Sequence, residues 1–172
     1  MNLYLRLLWL MLFGRHRSPC NTLGPCRTPF RVYPNDLDVF RHVNNGRYFT
    51  MLDLARVDLM QRSGLADKVA AAGWFPVVAM ETMHFRKALK LWQRFEVQTT
   101  VVGWDEKSIY LEHRIERNGE TMGIAYIRAR FLRKTGGSVT TQELMALGGI
   151  PHDSPPLPDW LSNWGNALTE VA

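Results

Sequence analysis

The stretch Asp36-Leu-Asp-Val-Phe-Arg-His-Val-Asn-Asn-Gly-Arg-Tyr-Phe-Thr-Met-Leu-Asp-Leu-Ala-Arg56 decides how this chain is read. Two carboxylates one residue apart are followed by a His-Val-Asn-Asn-Gly run and then by a segment apolar on most of a helical circumference. Asn44 or Asn45 suits an N-cap, because its side chain can take up an open first-turn amide. The predicted helix runs from there to Gln61 or Arg62, where Ser63-Gly64 stops it. An acid in the loop ahead of it stands beside the amides of the first turn, a pairing able to bind a carbonyl and activate water against it. Tyr48, Phe49, Met51, Leu52, Leu54, Ala55, Val57, Leu59 and Met60 leave this helix little polar surface. A helix apolar nearly all round is buried, so something must wrap it.

The wrapping comes from further along the chain. After a short second helix over Leu65 to Ala72, strands are predicted over Pro76 to Lys87, Phe95 to Trp104, Ser108 to Arg117 and Thr121 to Arg133. In the third of these Ile109, Leu111, His113 and Ile115 alternate with Tyr110, Glu112, Arg114 and Glu116. Asn118-Gly119 then supplies a type I′ hairpin signal, and long strands joined by tight turns make an antiparallel sheet. A further short strand is expected at Phe30 to Tyr33, ended by Pro34. Thr140-Thr-Gln-Glu143 reads as a capping box opening a short helix that stops at Gly148-Gly149. A Pro-rich linker leads to a last helical turn, expected to dock Trp160 and Trp164 on the body.

With 172 residues the chain suits one domain. Residues 1 to 31 hold Arg6, Arg15, Arg17, Arg27 and Arg31 and no acid, which accounts for the whole net charge of +5. The body is therefore neutral, without the basic face that nucleic acid requires. Cys20 and Cys26 have no companions at zinc spacing. They read as reduced thiols of a cytosolic protein, with a disulfide as the other reading. Leu3 to Phe13 is too short to span a bilayer and lacks a signal-peptide cleavage site. Over residues 3–17 it is suited either to lying at an anionic membrane surface, the inner face of a membrane for a cytoplasmic protein, or to packing on the body or a partner subunit. Ser18 to Pro29 reads as an extended connector.

Asp36-Leu-Asp38 followed by His42-Val-Asn-Asn-Gly-Arg-Tyr48, with Asp53-Leu-Ala-Arg56 on the helix, resembles the signature of the 4-hydroxybenzoyl-CoA thioesterase-like superfamily over roughly residues 28 to 165. The resemblance implies an α+β hotdog fold, an antiparallel β-sheet wrapped around a long central helix. It implies an arm over 1–27, a thioesterase domain over 28–135 and C-terminal helices and tail over 136–172 packed on it. It further implies hydrolysis of acyl-CoA thioesters, fatty-acyl or aryl, without metal or cofactor, by a homodimer or homotetramer with active sites at the subunit interface. By the same likeness Asp38 is the catalytic base or nucleophile, with His42 and Asn44 supporting it, and amides near Asn45 and Gly46 hold the carbonyl oxygen. Arg86 and Lys87, clustered with Lys90 and Arg94, would meet CoA phosphates, or else form a solvated turn. Plant acyl-carrier thioesterases carry an Asn two residues after the Asp. Phe40 stands there in this chain, so their Asp-Asn-His set is not carried over.

The residues taken alone leave alternatives. Asp36 reads as structural, bonding amides of its own turn. Asp53 and Arg56 read as a buried structural ion pair, or with Asp53 as a second catalytic carboxylate. Asn44 and Asn45 divide between capping the helix and orienting water. A non-catalytic hotdog protein that binds acyl chains or partners at a membrane is the other class of function, and a dehydratase is a third.

Overall fold

A computed structural model describes residues 3–14 and 17–167. Helix α1 (Leu3–Phe13) precedes strand β1 (Cys26–Arg31), and the long helix α2 (Asn45–Arg62) is followed by α3 (Leu65–Ala71). Strands β2 (Trp74–Phe85), β3 (Arg94–Trp104), β4 (Ile109–Arg117) and β5 (Glu120–Arg133) come next, then β6 (Ser138–Val139), α4 (Thr141–Gly148) and α5 (Asp159–Asn166). The strands form one antiparallel sheet in the order β1-β3-β4-β5-β2, with β6 added on β5.

Alternation in β3, β4 and β5 places Val97, Val101, Leu111, Ile115, Ala125 and Ile127 on one buried face. Met51, Leu52, Ala55 and Leu59 of α2 pack against that face. Each large side chain so buried stabilises the fold by roughly 1.5–3 kcal/mol. This is the hotdog arrangement the sequence predicts. Asn118 and Gly119 both take positive φ, 51° and 78°, as a type I′ turn needs. The capping box at Thr140 and Glu143 is formed.

Three expectations need correction, and for the arm one of two open alternatives is seen. The first strand spans Cys26–Arg31 rather than Phe30 to Tyr33, so the border drawn at 27/28 falls inside it. Cys26 and Thr28 sit opposite Thr99 and Val97, and their burial outweighs the strand-breaking tendency of Pro29, which an edge strand tolerates. The arm, secondly, packs on the body, one of the two alternatives its sequence leaves open. Arg6 and Leu10 are buried, Arg6 pairs with Asp36, and Arg17 pairs with Asp58 at 2.8 Å. Thirdly, α5 docks through Leu161 and Gly165. Trp160 stays half exposed, edge-on to Tyr126 at 4.7 Å. Gly165 is needed there, because a Cβ would fall 2.2 Å from the Tyr110 hydroxyl. Finally, the Asp53–Arg56 pair forms, but only Arg56 is buried. Asp53 keeps 61% of its side chain exposed.

Candidate active site

The Asp36–Asn45 loop is tied both within itself and to the segments around it. Asp36 ends a single 3-10 turn and is fully buried. One carboxylate oxygen pairs with Arg6 and accepts the Tyr33 amide at 2.8 Å, while the other accepts Arg47 at 3.1 and 3.3 Å. The Asn44 amide donates to the Asp36 carbonyl at 2.9 Å, which ties the loop to the start of α2. Asp36 is thus scaffold, as expected, and two arginines rather than its own turn supply most of its partners.

Asp38 is only half buried. Its Oδ1 accepts the Phe40 amide at 2.9 Å and the His42 amide at 3.3 Å, closing a turn in which Arg41 takes φ 60°. Its backbone also pairs with His42, whose own strand-like bridge runs to Lys90. Among the described residues no donor reaches Oδ2. Asp38 lines a cleft of about 220 Å³ together with His42, Asn45, Tyr48, Arg86 and Lys87.

Five of the seven site residues expected from the sequence therefore share one cleft: Asp38, His42, Asn45, Arg86 and Lys87. Asn44 and Gly46 do not line it. Asn44 is the N-cap of α2, its Oδ1 accepting the Gly46 amide at 2.9 Å. The Gly46 amide is thereby committed, and the Asn45 amide is left without an acceptor among the described residues, at the end of α2 where partial positive charge collects. Lys87 also pairs with Glu120 at 2.9 Å, both exposed, whereas Arg86 has no ion-pair partner among the described residues. His84 is exposed and lines no part of this cleft.

Sequence reasoning took Tyr48 for plain core. It is buried, yet its hydroxyl accepts the Leu89 amide at 3.4 Å and its ring packs edge-on against Phe85 at the cleft. Burial pushes its phenol above the ordinary range. A second polar feature lies midway along α2. His113 is fully buried, with Nδ1 3.0 Å from Thr99 Oγ1 and Nε2 3.2 Å from Arg56. Burial first, and the Arg56 charge next, drive its pKa well below the usual imidazole value, so the ring is neutral. An arginine can only donate, so Nε2 accepts and Nδ1–H points to Thr99. Burial lowers Arg56 and raises Glu81 beside it. The single charges at positions 6 and 47 were the legible clue to the Asp36 clamp. Nothing local marked the Thr99–His113 pair, which exists only through strand register.

A second cavity of about 180 Å³ lies between α2 and the sheet, mostly apolar, with Asp53, Arg56, Val57, Val77, Ile109 and Leu111 among its lining residues. It shares no lining residue with the Asp38 cleft. Strand β2 beside it ends the sheet, with its outer backbone edge unpaired among the described residues.

Residues 32–165 match the family model of the Thioesterase-like superfamily. The chain is 32% identical over 164 residues to Protein THEM6 of Danio rerio, covering 94% of this chain and 79% of that one. It is 31% identical over 133 residues to Protein THEM6 of Xenopus laevis, covering 77% of this chain and 63% of the relative's length. Among solved structures it is similar to YbaW, a probable thioesterase from Escherichia coli, with a TM-score of 0.66 and 26% identity, over 70% of this chain and 94% of that one.

Proposed function

Because this chain belongs to the thioesterase-like superfamily, we propose that it hydrolyses acyl-CoA thioesters, fatty-acyl or aryl, with Asp38 as the general base. One observation carries this reading: Asp38, which has one carboxylate oxygen without a donor among the described residues, lines the same cleft as Asn45, whose amide opens α2 without an acceptor among them. In the proposed reaction the thioester carbonyl accepts from Asn45 N–H. Asp38 Oδ2 takes a proton from water as its oxygen adds to the carbonyl carbon. The tetrahedral intermediate then expels the CoA thiolate, which takes up the proton held by Asp38, and the acid is released. The two bonds holding Oδ1 leave the carboxylate anchored while Oδ2 reacts, which suits a base. His42 stands in the cleft to hold water or return the proton. Asn44 acts through the helix cap. Arg86 and Lys87 offer charge to the CoA phosphates.

The edge position of β2 supports a homo-oligomeric arrangement. An exposed twelve-residue strand carrying Phe75, Val78 and Phe85 in half-exposed positions invites a second copy. Two-fold pairing would bring the Val77 end of one β2, and with it the apolar cavity, towards the Phe85 end of the other, where the Asp38 cleft lies. We assign the cavity to the acyl chain on that basis, in a homodimer or a dimer of dimers. The exposed outer face of α1 supports peripheral contact with a membrane surface as a separate property of a cytoplasmic protein.

Free-thiol release from a panel of acyl-CoAs tests the chemistry. Asp38→Asn keeps the Oδ1 acceptor and removes the base, and should lower kcat by about 10²- to 10⁴-fold. Equal rates for both proteins at every chain length would reject hydrolysis and favour the acyl-binding reading. Hydrated enoyl-CoA in place of free CoA would indicate a dehydratase. For the assembly, Val78→Glu brings like charges across the two-fold and should yield monomers with little activity, read by sedimentation.

A further inference from the structure

The register of β1 on β3 sets Arg31 directly opposite Arg94. Like charges facing each other across a strand pair repel and destabilise it. Neither arginine has a carboxylate partner among the described residues. Arg31 spends its Nε on the Trp92 carbonyl at 3.3 Å and lies over the Trp92 ring at 5.3 Å. Glu96, two residues along β3 from Arg94, is paired with Arg27 at 3.3 Å instead. Both arginines are exposed and open on a groove of about 350 Å³ between α1 and β1, which Trp9, Phe30 and Tyr33 also line. Arg6 lines it too, but Asp36 neutralises it.

Alongside the groove α1 presents an unusual surface. Tyr4, Leu5, Leu8, Met11, Leu12 and Phe13 are each more than half exposed. At 100° per residue they cover about half the helix circumference with no charge among them. Trp9 sits where this apolar arc meets the groove, its ring 5.7 Å from that of Phe13. An apolar face of this extent, bordered by uncompensated arginines, has the make-up of a surface that meets a charged lipid layer.

We infer that the groove is a headgroup site for an anionic phospholipid, whose phosphate bridges Arg31 and Arg94 while the outer face of α1 enters the acyl layer and Trp9 lies at the boundary. The inference rests on the membrane contact proposed above and adds to it the lipid charge and the residues that read it. Charge complementarity selects this occupant. Arg31 and Arg94 both open on this groove without a carboxylate among the described residues, so a second copy laid on the same face would set arginine against arginine. A bilayer bearing phosphates relieves that repulsion and the one between Arg31 and Arg94 together.

The test is co-sedimentation of the full chain with vesicles of phosphatidylcholine alone or mixed with phosphatidylglycerol. Wild type should partition to the mixed vesicles, and more weakly as salt rises. Arg31→Gln with Arg94→Gln should bind them about thirtyfold less well, from roughly 1 kcal/mol per arginine near an anionic surface. Arg31→Lys with Arg94→Lys should keep most of the binding. Leu8→Ser with Leu12→Ser should lose binding to both vesicle types. The double Gln variant should unfold at or above the wild-type midpoint, since it removes a repulsion. If it binds like wild type, the headgroup site is overturned while membrane contact by α1 stands. If wild type sediments with neither vesicle, both are overturned. Displacement by soluble glycerol 1-phosphate at matched phosphate would overturn the lipid reading in favour of a free anion. Vesicle-free self-association abolished by the Ser changes would overturn it in favour of a second copy. Free-thiol release in vesicle-free buffer reads the proposed hydrolysis independently of all of these.

Discussion

Asp36 and Asp58 sit near opposite ends of α2, both fully buried, and the chain treats them alike. Each is held by one arginine from the N-terminal segment and one from α2 itself: Arg6 and Arg47 at the first, Arg17 and Arg62 at the second. The difference lies in what each cluster restrains. At Asp36 both oxygens are used, and the clamp fixes the loop that carries Asp38 two residues later. At Asp58 one oxygen does the work, accepting Thr28 at 2.7 Å as well as the two arginines, while the other is buried without a partner among the described residues. Arg17 and Arg62 also reach the Arg27 carbonyl, so this second clamp fixes β1 and the connector. The same chemistry therefore serves the proposed active site at one end of the helix and only the packing at the other.

Substitution tests that division most strongly. Asp36→Ala and Asp58→Ala each strand two arginines beside a buried gap, and each should cost about 3–5 kcal/mol in chemical denaturation. Only Asp36→Ala should also lower kcat measured per folded molecule, because only it releases the Asp38 loop. An equal loss of kcat in both variants would break the comparison. A chain beginning at Cys26 removes Arg6 and Arg17 together and should show a marked fall in Tm. Lower solubility of that shortened chain would then report damage to the fold, so point changes on the outer face of α1 are the better probe of membrane contact.

A smaller effect comes from His113, midway between the two clamps. Its folded-state pKa lies below the ordinary 6.5 of imidazole, so below that pH the unfolded chain binds the proton more readily than the folded one. Its contribution to stability is present above about pH 6.5 and declines as pH falls through that region. His113→Gln should flatten this part of the stability–pH curve, and an unchanged curve would reject the buried neutral ring. Smaller again, Arg86→Ala with Lys87→Ala should raise KM for acyl-CoA about tenfold with kcat little changed, as for charge contacts to phosphate at an open surface. A fall in kcat with KM constant would instead move those residues into the chemistry.

Much of this was legible in the chain. The period-2 alternation of residues 109–116, the Asn118-Gly119 turn and the apolar girth of residues 48–60 specify a sheet wrapped on a helix. Asp38, His42, Asn45, Arg86 and Lys87 were singled out as residue types and do share a cleft. Less was visible of what holds them. Gly46 looked as open as Asn45, and only the helix cap distinguishes the two amides. The start of β1 was hidden by Pro25 and Pro29, whose local preference the β3 pairing overrides.

The sequence by itself determined the elements, the acid-bearing loop ahead of the helix and the concentration of positive charge in the first 31 residues, because these depend on neighbours within a few positions. The tertiary structure alone decided that Arg6 and Arg17 reach across 30 and 41 residues to the two buried aspartates. It likewise brought Thr99, His113 and Arg56 together under α2 and set Arg31 against Arg94. Burial makes an ion pair strong or costly, and strand register makes two like charges neighbours. Neither property exists until distant segments meet.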